Sequence, residues 1–435
     1  MSIITKAQLI NWNLQKQGLI DRIACNTYSQ FGPFHSTNQT TPYLSLLARI
    51  ESFIDKWSEF YHKSESSDSK IRTFIRLRCM RGTLHLIPHD ESEVVKKVYS
   101  MVADDRLKTL SGKHFTDQSF TEVKTNIENT IKANSALPSA QLKNLLKAQF
   151  KTCPFKPKGK AKTVGCGIKY YLDCLGNRGA LCYGVGTTAS MAKKAAASKK
   201  AVKTTPIDWR KANRNWIISD HPLVEPPASK EEVLKADSEL ALWYFTLYGP
   251  ASINDLVWWS GLSATRIKAA CKTIDDKLTK LKVNGCKYQY YIMNEHLDEI
   301  KKVTNQLPTM CRLLPYEDAI IKAYKETRYR FFNFEDSSIM DEVIRRGEAM
   351  PSIWLDGEIV GSWYWKNKKN ETMEVYLLKE ISAKQNENLL KEIDLIKKFI
   401  EAPEVQISYF SKEEEEEELS DNEEESEGSS GNSDE

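Results

Sequence analysis

The sequence predicts an α+β protein made of about three tandem winged-helix units, followed by a C-terminal antiparallel β meander. Three observations predict it. Ser238–Met293 reads as helices joined by a glycine-containing turn and then a hairpin. A similar order of helices and a strand-like run recurs twice nearer the N-terminus. The stretch "PSIWLDGEIVGSWYWKNKKNETMEVYLL", from Pro351 to Leu378, alternates apolar and polar residues between turn signals.

In chain order, Thr5-Lys6-Ala7-Gln8 forms a capping box for "KAQLINWNLQKQ", because Thr5 and Gln8 can each satisfy a free N–H at a helix start. A helix is expected over "YLSLLARIESFIDKW", then a β-branched, basic run "IRTFIRLRCMRGTLHLIP", then a helix capped by Asp90 and Glu93. Ser139-Ala140-Gln141-Leu142 opens a further helix, followed by "GIKYYLDCLGN" and the strand-like "ALCYGV". In the third unit "SELALWYFTLYGP" stops at Gly249-Pro250, Ser252-x-x-Asp255 caps "INDLVWWS", and Ser263 caps "ATRIKAACKTIDDKL". Asn284-Gly285 then turns a hairpin, since both residues tolerate positive φ. The meander turns at Asp356-Gly357 and again near Lys368–Asn370, and a last helix spans about Asn386–Ile400. The expected units are 1–115, 116–228, 229–306 and 307–408, with an acidic tail at 409–435.

The 435 residues are 41% hydrophobic, enough for several cores. No run approaches the ~18–20 apolar residues of a membrane span, and the N-terminus lacks a signal peptide's apolar centre. Nine scattered cysteines with no C-x-x-C pair fit a reducing compartment, nucleus or cytoplasm. The net charge of +3 hides an asymmetry: residues 412–435 carry 13 acids and one lysine, leaving 61 Lys+Arg against 46 Asp+Glu on the body. A basic body with an acidic tail suits a nucleic-acid binder, or a lysine-rich protein with a solubilising tail. Lys156–Arg214 holds 14 basic residues against Asp173 and Asp208. That segment reads as a solvated insertion, as a phosphate-binding arm through residues such as Lys193 and Lys194, or as an import signal.

Phosphate-loop, nucleophile-elbow and H-E-x-x-H motifs are missing. His85 and His89 are spaced i, i+4, but Pro88 between them argues against a metal-binding helix, and no metal site is expected. Arg76 and Arg78 share one face of a strand and can grip adjacent phosphates or form a surface salt-bridged strand. Trp258-Trp259 and Trp363-Tyr364-Trp365 stack on bases in one reading and pack a core in the other. Arg266 and Lys268 lie early in the recognition-like helix, within reach of a groove or phosphates.

Five blocks, "INWNLQKQGL", "CMRGTLHLIP", "LYGPASINDLVWWSGL", "LLPYEDAIIKAY" and "LDGEIVGSWYWK", resemble in order those of the winged-helix family that contains the AlkZ- and YcaQ-type DNA glycosylases. The resemblance spans about residues 5–375. It implies winged-helix units in a curved arrangement around a DNA-sized concavity, and double-stranded, damaged or alkylated DNA as partner. It implies monofunctional excision of bulky N7-alkylated purines or crosslinks by water attack at C1′, with no metal or diffusible cofactor. The family's water-activating Gln-x-Gln or Gln-x-Asp triplet falls, aligned without a gap from Tyr43, on His35-Ser36-Thr37.

The glutamines are therefore replaced. A neutral imidazole can accept a proton near neutral pH, so His35 is expected to activate the water and Thr37 to orient it. No carboxylate stands in this triplet. Arg81, Thr83 and His85 are expected to line the same site. The alternatives are a non-catalytic DNA-binding relative, or an RNA- or chromatin-associated protein. The sequence does not fix an oligomeric state.

Overall fold

The computed structural model describes residues 2–24, 30–65, 72–111, 117–134, 136–149, 164–184, 215–219, 223–332, 338–365, 372–401 and 406–410. The acidic tail beyond Phe410 and the basic stretch with Lys193 and Lys194 lie outside the described residues. The chain is a mixed α+β structure of helices and small sheets, most of whose strand pairs are antiparallel. Among the described residues no helix is long and apolar enough to cross a membrane.

Local signals set several helix starts. Thr5, Ser252 and Ser382 each close a capping box, opening the helices Lys6–Lys16, Ile253–Ser260 and Ala383–Phe399. Ser229 does the same for Lys230–Tyr248, whose Leu240, Tyr244 and Tyr248 are buried in the largest core with Leu256, Trp259, Ile320 and Tyr324. Ile253–Ser260 ends at Gly261, in the left-handed conformation, and Ser263 caps Ala264–Thr273.

The hairpin Leu278–Val283 with Tyr290–Met293 follows, so the expected order of three helices and a hairpin is present. It is wider than a two-residue turn: Asn284-Gly285 makes the first bend, with Cys286 N–H donating to Val283 O. Its outer edge is taken by the N-terminal strand Ser2–Ile4, paired parallel to Leu278–Val283. Leu9 and Trp12 of the first helix join Leu281 and Tyr290 in a small core. The N-terminus is thus shared with the 229–306 region.

The meander Ser352–Leu355, Glu358–Trp365, Thr372–Leu377 is antiparallel as expected. Distant segments extend it to five strands, with Cys311–Leu314 on one edge and Gln406–Phe410, parallel, on the other. Trp363 is buried and donates to Leu314 O, so it is a core residue rather than a base platform.

One expected helix breaks. "YLSLLARIESFIDKW" forms Thr41–Leu47 and Phe53–Glu65, separated at residues 48–52, with Ser52 at φ 52°. Tertiary contacts override the helical pattern there. Arg49 O and Glu51 N–H are used by Ile23, and the fully buried Arg49 guanidinium binds both carboxylate oxygens of Asp318, at 2.9 and 2.6 Å.

Candidate active site

Phe34–His35 pairs with Leu84–Pro88, which pairs with Phe74–Arg78. His35 lies opposite His85 in register, with the two rings perpendicular at 5.4 Å. The hairpin tip at Met80–Gly82 is tight, and Arg81 sits there at φ 54°. The tip is pressed against the end of helix Ile253–Ser260: a Cβ added at Gly261 would lie 2.9 Å from the Arg81 nitrogen. That close approach leaves room for glycine alone and fixes where Arg81 emerges.

The third contribution comes from "LLPYEDAIIKAY". Glu317 has φ 59° and is bound reciprocally to Ala349: its N–H donates to Ala349 O at 2.8 Å, and its Oε1 accepts Ala349 N–H at 2.7 Å. Asp318 caps the short helix Ala319–Lys322, which presents Lys322. Glu317 thereby faces three partners. His35 Nε2 is 3.7 Å from Oε2, Arg81 Nη2 is 3.9 Å from Oε2, and Lys322 Nζ is 2.8 Å from Oε1. Lys322 also donates to Gly347 O at 2.9 Å. Arg81, Lys322 and Arg328 converge on the ring of Trp258, at 4.0, 5.0 and 4.7 Å from its centroid.

His35, Arg81, His85, Glu317 and Lys322 line a cleft of about 10 Å³, the order of space one water needs. Burial sets its protonation. It pushes His35 down to about 4, against the raising influence of Glu317, and holds His85 well below the ordinary histidine range. It lowers Lys322 to about 8, with Arg81 and Arg328 acting in the same direction and Glu317 opposing. Both imidazoles are neutral at physiological pH. His35 Nδ1 is buried with no hydrogen-bond partner among the described residues.

A second cleft, of about 280 Å³, adjoins on the other side of the hairpin tip. Arg78, Arg81 and Arg106 line it with Tyr170 and a single carboxylate, Asp173. Arg78 is held by Asp173 at 3.1 Å, whereas Arg106 is exposed over the Tyr170 ring. A larger cleft of about 550 Å³ beside Arg22 and Arg312 lacks comparable chemistry, because Glu392 engages both guanidiniums.

The structure thus brings together His35, His85 and Arg81. Thr37 is exposed and is not among the residues lining this cleft. Thr83 donates to Met80 O and holds the hairpin tip. Arg76 is buried and unsuited to a surface phosphate contact. Arg266 forms a bidentate pair with Asp237, at 2.8 and 2.6 Å, while Lys268 is exposed on the same helix. Sequence reasoning missed Glu317, Lys322 and the cation-binding role of Trp258. The available signal was three charges, Glu317, Asp318 and Lys322, within six residues of an otherwise largely apolar block. Among the described residues no group of three or more His, Cys, Asp or Glu could hold a metal ion.

A sequence model described as DNA glycosylase AlkZ-like matches residues 28–399. Among solved structures, the DNA glycosylase AlkZ of Streptomyces sahachiroi superposes with a TM-score of 0.65 at 17% identity, over 94% of this chain and 100% of that one. No curated protein matches the chain.

Proposed function

The chain belongs to the AlkZ-like DNA glycosylase family, and on that premise we propose that it hydrolyses the N-glycosidic bond of bulky N7-alkylated purines or their crosslinks in duplex DNA. The observation that carries this reading is the buried neutral imidazole of His35 facing the Glu317 carboxylate, beside an arginine-lined cleft. N7-alkylation makes the purine cationic, so it leaves without a general acid. His35 Nδ1 takes the proton of the water attacking C1′. Glu317 stabilises the imidazolium that forms and the positive charge developing on the sugar. It supplies from a remote segment the carboxylate that the His35-Ser36-Thr37 triplet lacks. Arg106, Arg78 and Arg81 receive phosphates. Lys230–Met293 acts as a winged helix, with Lys268 toward the backbone.

The test is single-turnover excision from duplex DNA carrying an N7-alkylguanine, with wild type and His35→Ala in parallel. The variant should lose about 10²–10⁴-fold in rate and keep its affinity for DNA. Excision by His35→Ala at the wild-type rate refutes the assignment of His35. Tight, salt-sensitive binding without excision by wild type makes this chain a DNA-binding relative without the chemistry.

A further inference from the structure

We propose that Lys322 is a nucleophile and that, once the base has left, the same cleft cleaves the DNA strand at the abasic site through a Schiff base. The inference rests on the excision reading for the site's substrate and goes beyond the water-only chemistry expected from sequence. Three features of the cleft carry it. Lys322, whose primary amine also donates to Gly347 O, lines the cleft that holds His35. A carboxylate oxygen, Glu317 Oε1, lies 2.8 Å from that amine and can take its proton. A second base is also present: His35, whose Nδ1 is buried with no hydrogen-bond partner among the described residues. A lysine serving only to neutralise Glu317 requires neither a shared cleft nor a second base. Burial lowers the lysine into the range where a useful fraction is neutral near pH 8.

The step balances without any oxidant or reductant. Excision leaves a deoxyribose whose open-chain form has an aldehyde at C1′. Lys322, neutral after losing one proton to solvent, bonds through its nitrogen lone pair to C1′; Glu317 takes a second proton from the nitrogen while the carbonyl oxygen takes one from water, giving a carbinolamine. Glu317 returns that proton to the hydroxyl, which leaves as water, and an iminium forms. His35 removes a C2′ proton. The C–H electron pair becomes a C2′=C3′ bond, and the C3′–O bond breaks with its electrons departing on the phosphate. Water then hydrolyses the conjugated iminium, freeing the lysine and an unsaturated aldehyde at the 3′ end of the upstream fragment.

The test starts from a preformed abasic duplex, made by removing uracil from DNA, so excision by this protein is not required. The full chain is incubated with it in sodium cyanoborohydride, and the covalent adduct is digested and mapped. The expected results are a reductant-dependent adduct on Lys322 in the wild-type protein, none above background for Lys322→Gln, and strand cleavage in the absence of reductant. Mapping on the wild type keeps the test valid even if the variant misfolds. No adduct, whether or not the abasic duplex binds, or an adduct mapped to another amine, overturns the proposal. Base release from alkylated DNA, scored separately, reports on the excision reading alone.

Discussion

Replacing Glu317 by glutamine isolates the charge of the carboxylate that lies 3.7 Å from His35. The amide retains an oxygen to accept Ala349 N–H and the Lys322 ammonium, now bonded to Oε1 at 2.7 and 2.8 Å. Its backbone requirement, φ 59°, is unchanged in kind. What disappears is the attraction between a carboxylate and an imidazolium 3.7 Å away. Two unit charges at that separation interact by about 4 kcal/mol at an effective dielectric of ~20. Partial charge transfer in the transition state and water entering with DNA reduce this, so a loss of about 2–3 kcal/mol is expected. At 1.36 kcal/mol per decade that is roughly 10²-fold in the excision step. Removing one member of a buried ion pair also costs about 3 kcal/mol of stability, although Lys322 can limit the cost by remaining neutral. Single-turnover excision and urea unfolding measure the two effects. DNA affinity should hold or rise, since a negative charge near phosphates has been removed. A folded Glu317→Gln protein that excises within a factor of about three of wild type refutes the electrostatic role.

Arg106→Gln removes an exposed guanidinium from the second cleft; the slope of log K against log salt for duplex binding should fall by about one unit, with unfolding unchanged. Gly261→Ala puts a Cβ 2.9 Å from the Arg81 nitrogen and forces a left-handed alanine. It should cost about 1–3 kcal/mol in urea unfolding and slow excision by moving Arg81. For pH, His35 falls from 6.5 to about 4 on folding. Between these values the unfolded chain takes up a proton that the native state refuses, so stability present above pH 6.5 is lost as pH falls toward 4. The loss at pH 5 amounts to roughly 2 kcal/mol, and His35→Gln should show a flatter pH dependence in the same unfolding assay.

What the sequence made legible was local. Capping boxes at Thr5 and Ser252 depend on residues three apart, and the turn at Asp356-Gly357, both at positive φ, depends on two neighbours. Features depending on distant partners were not legible. The 43–57 helix breaks because Ile23 takes its backbone and Asp318 its arginine. The C-terminal sheet gains its outer strands from 311–314 and 406–410. The site divides in the same way. His35 could be placed because a recognisable block follows it in the chain. Glu317 could not, since it meets His35 only through the fold, and nothing local announces a glutamate in a left-handed conformation.

That division also orders the chemistry in time. On the proposed mechanism water attack needs a neutral His35, and burial pushes that group down to about 4. Attack by Lys322 needs a neutral amine, and with the group near 8 only about a tenth of the molecules supply one at pH 7. The two steps share Glu317 but are limited by different groups, so they separate with pH. At pH 7 base release should outrun strand cleavage and abasic DNA should accumulate. Between pH 7 and 9 base release should stay flat, while cleavage rises nearly tenfold per unit at first and levels off above about 8. A time course following free base and broken strand together at pH 7 and 9 reads this directly. Parallel rises in both would mean that one group limits both steps, and the assignment of separate roles to His35 and Lys322 would fail.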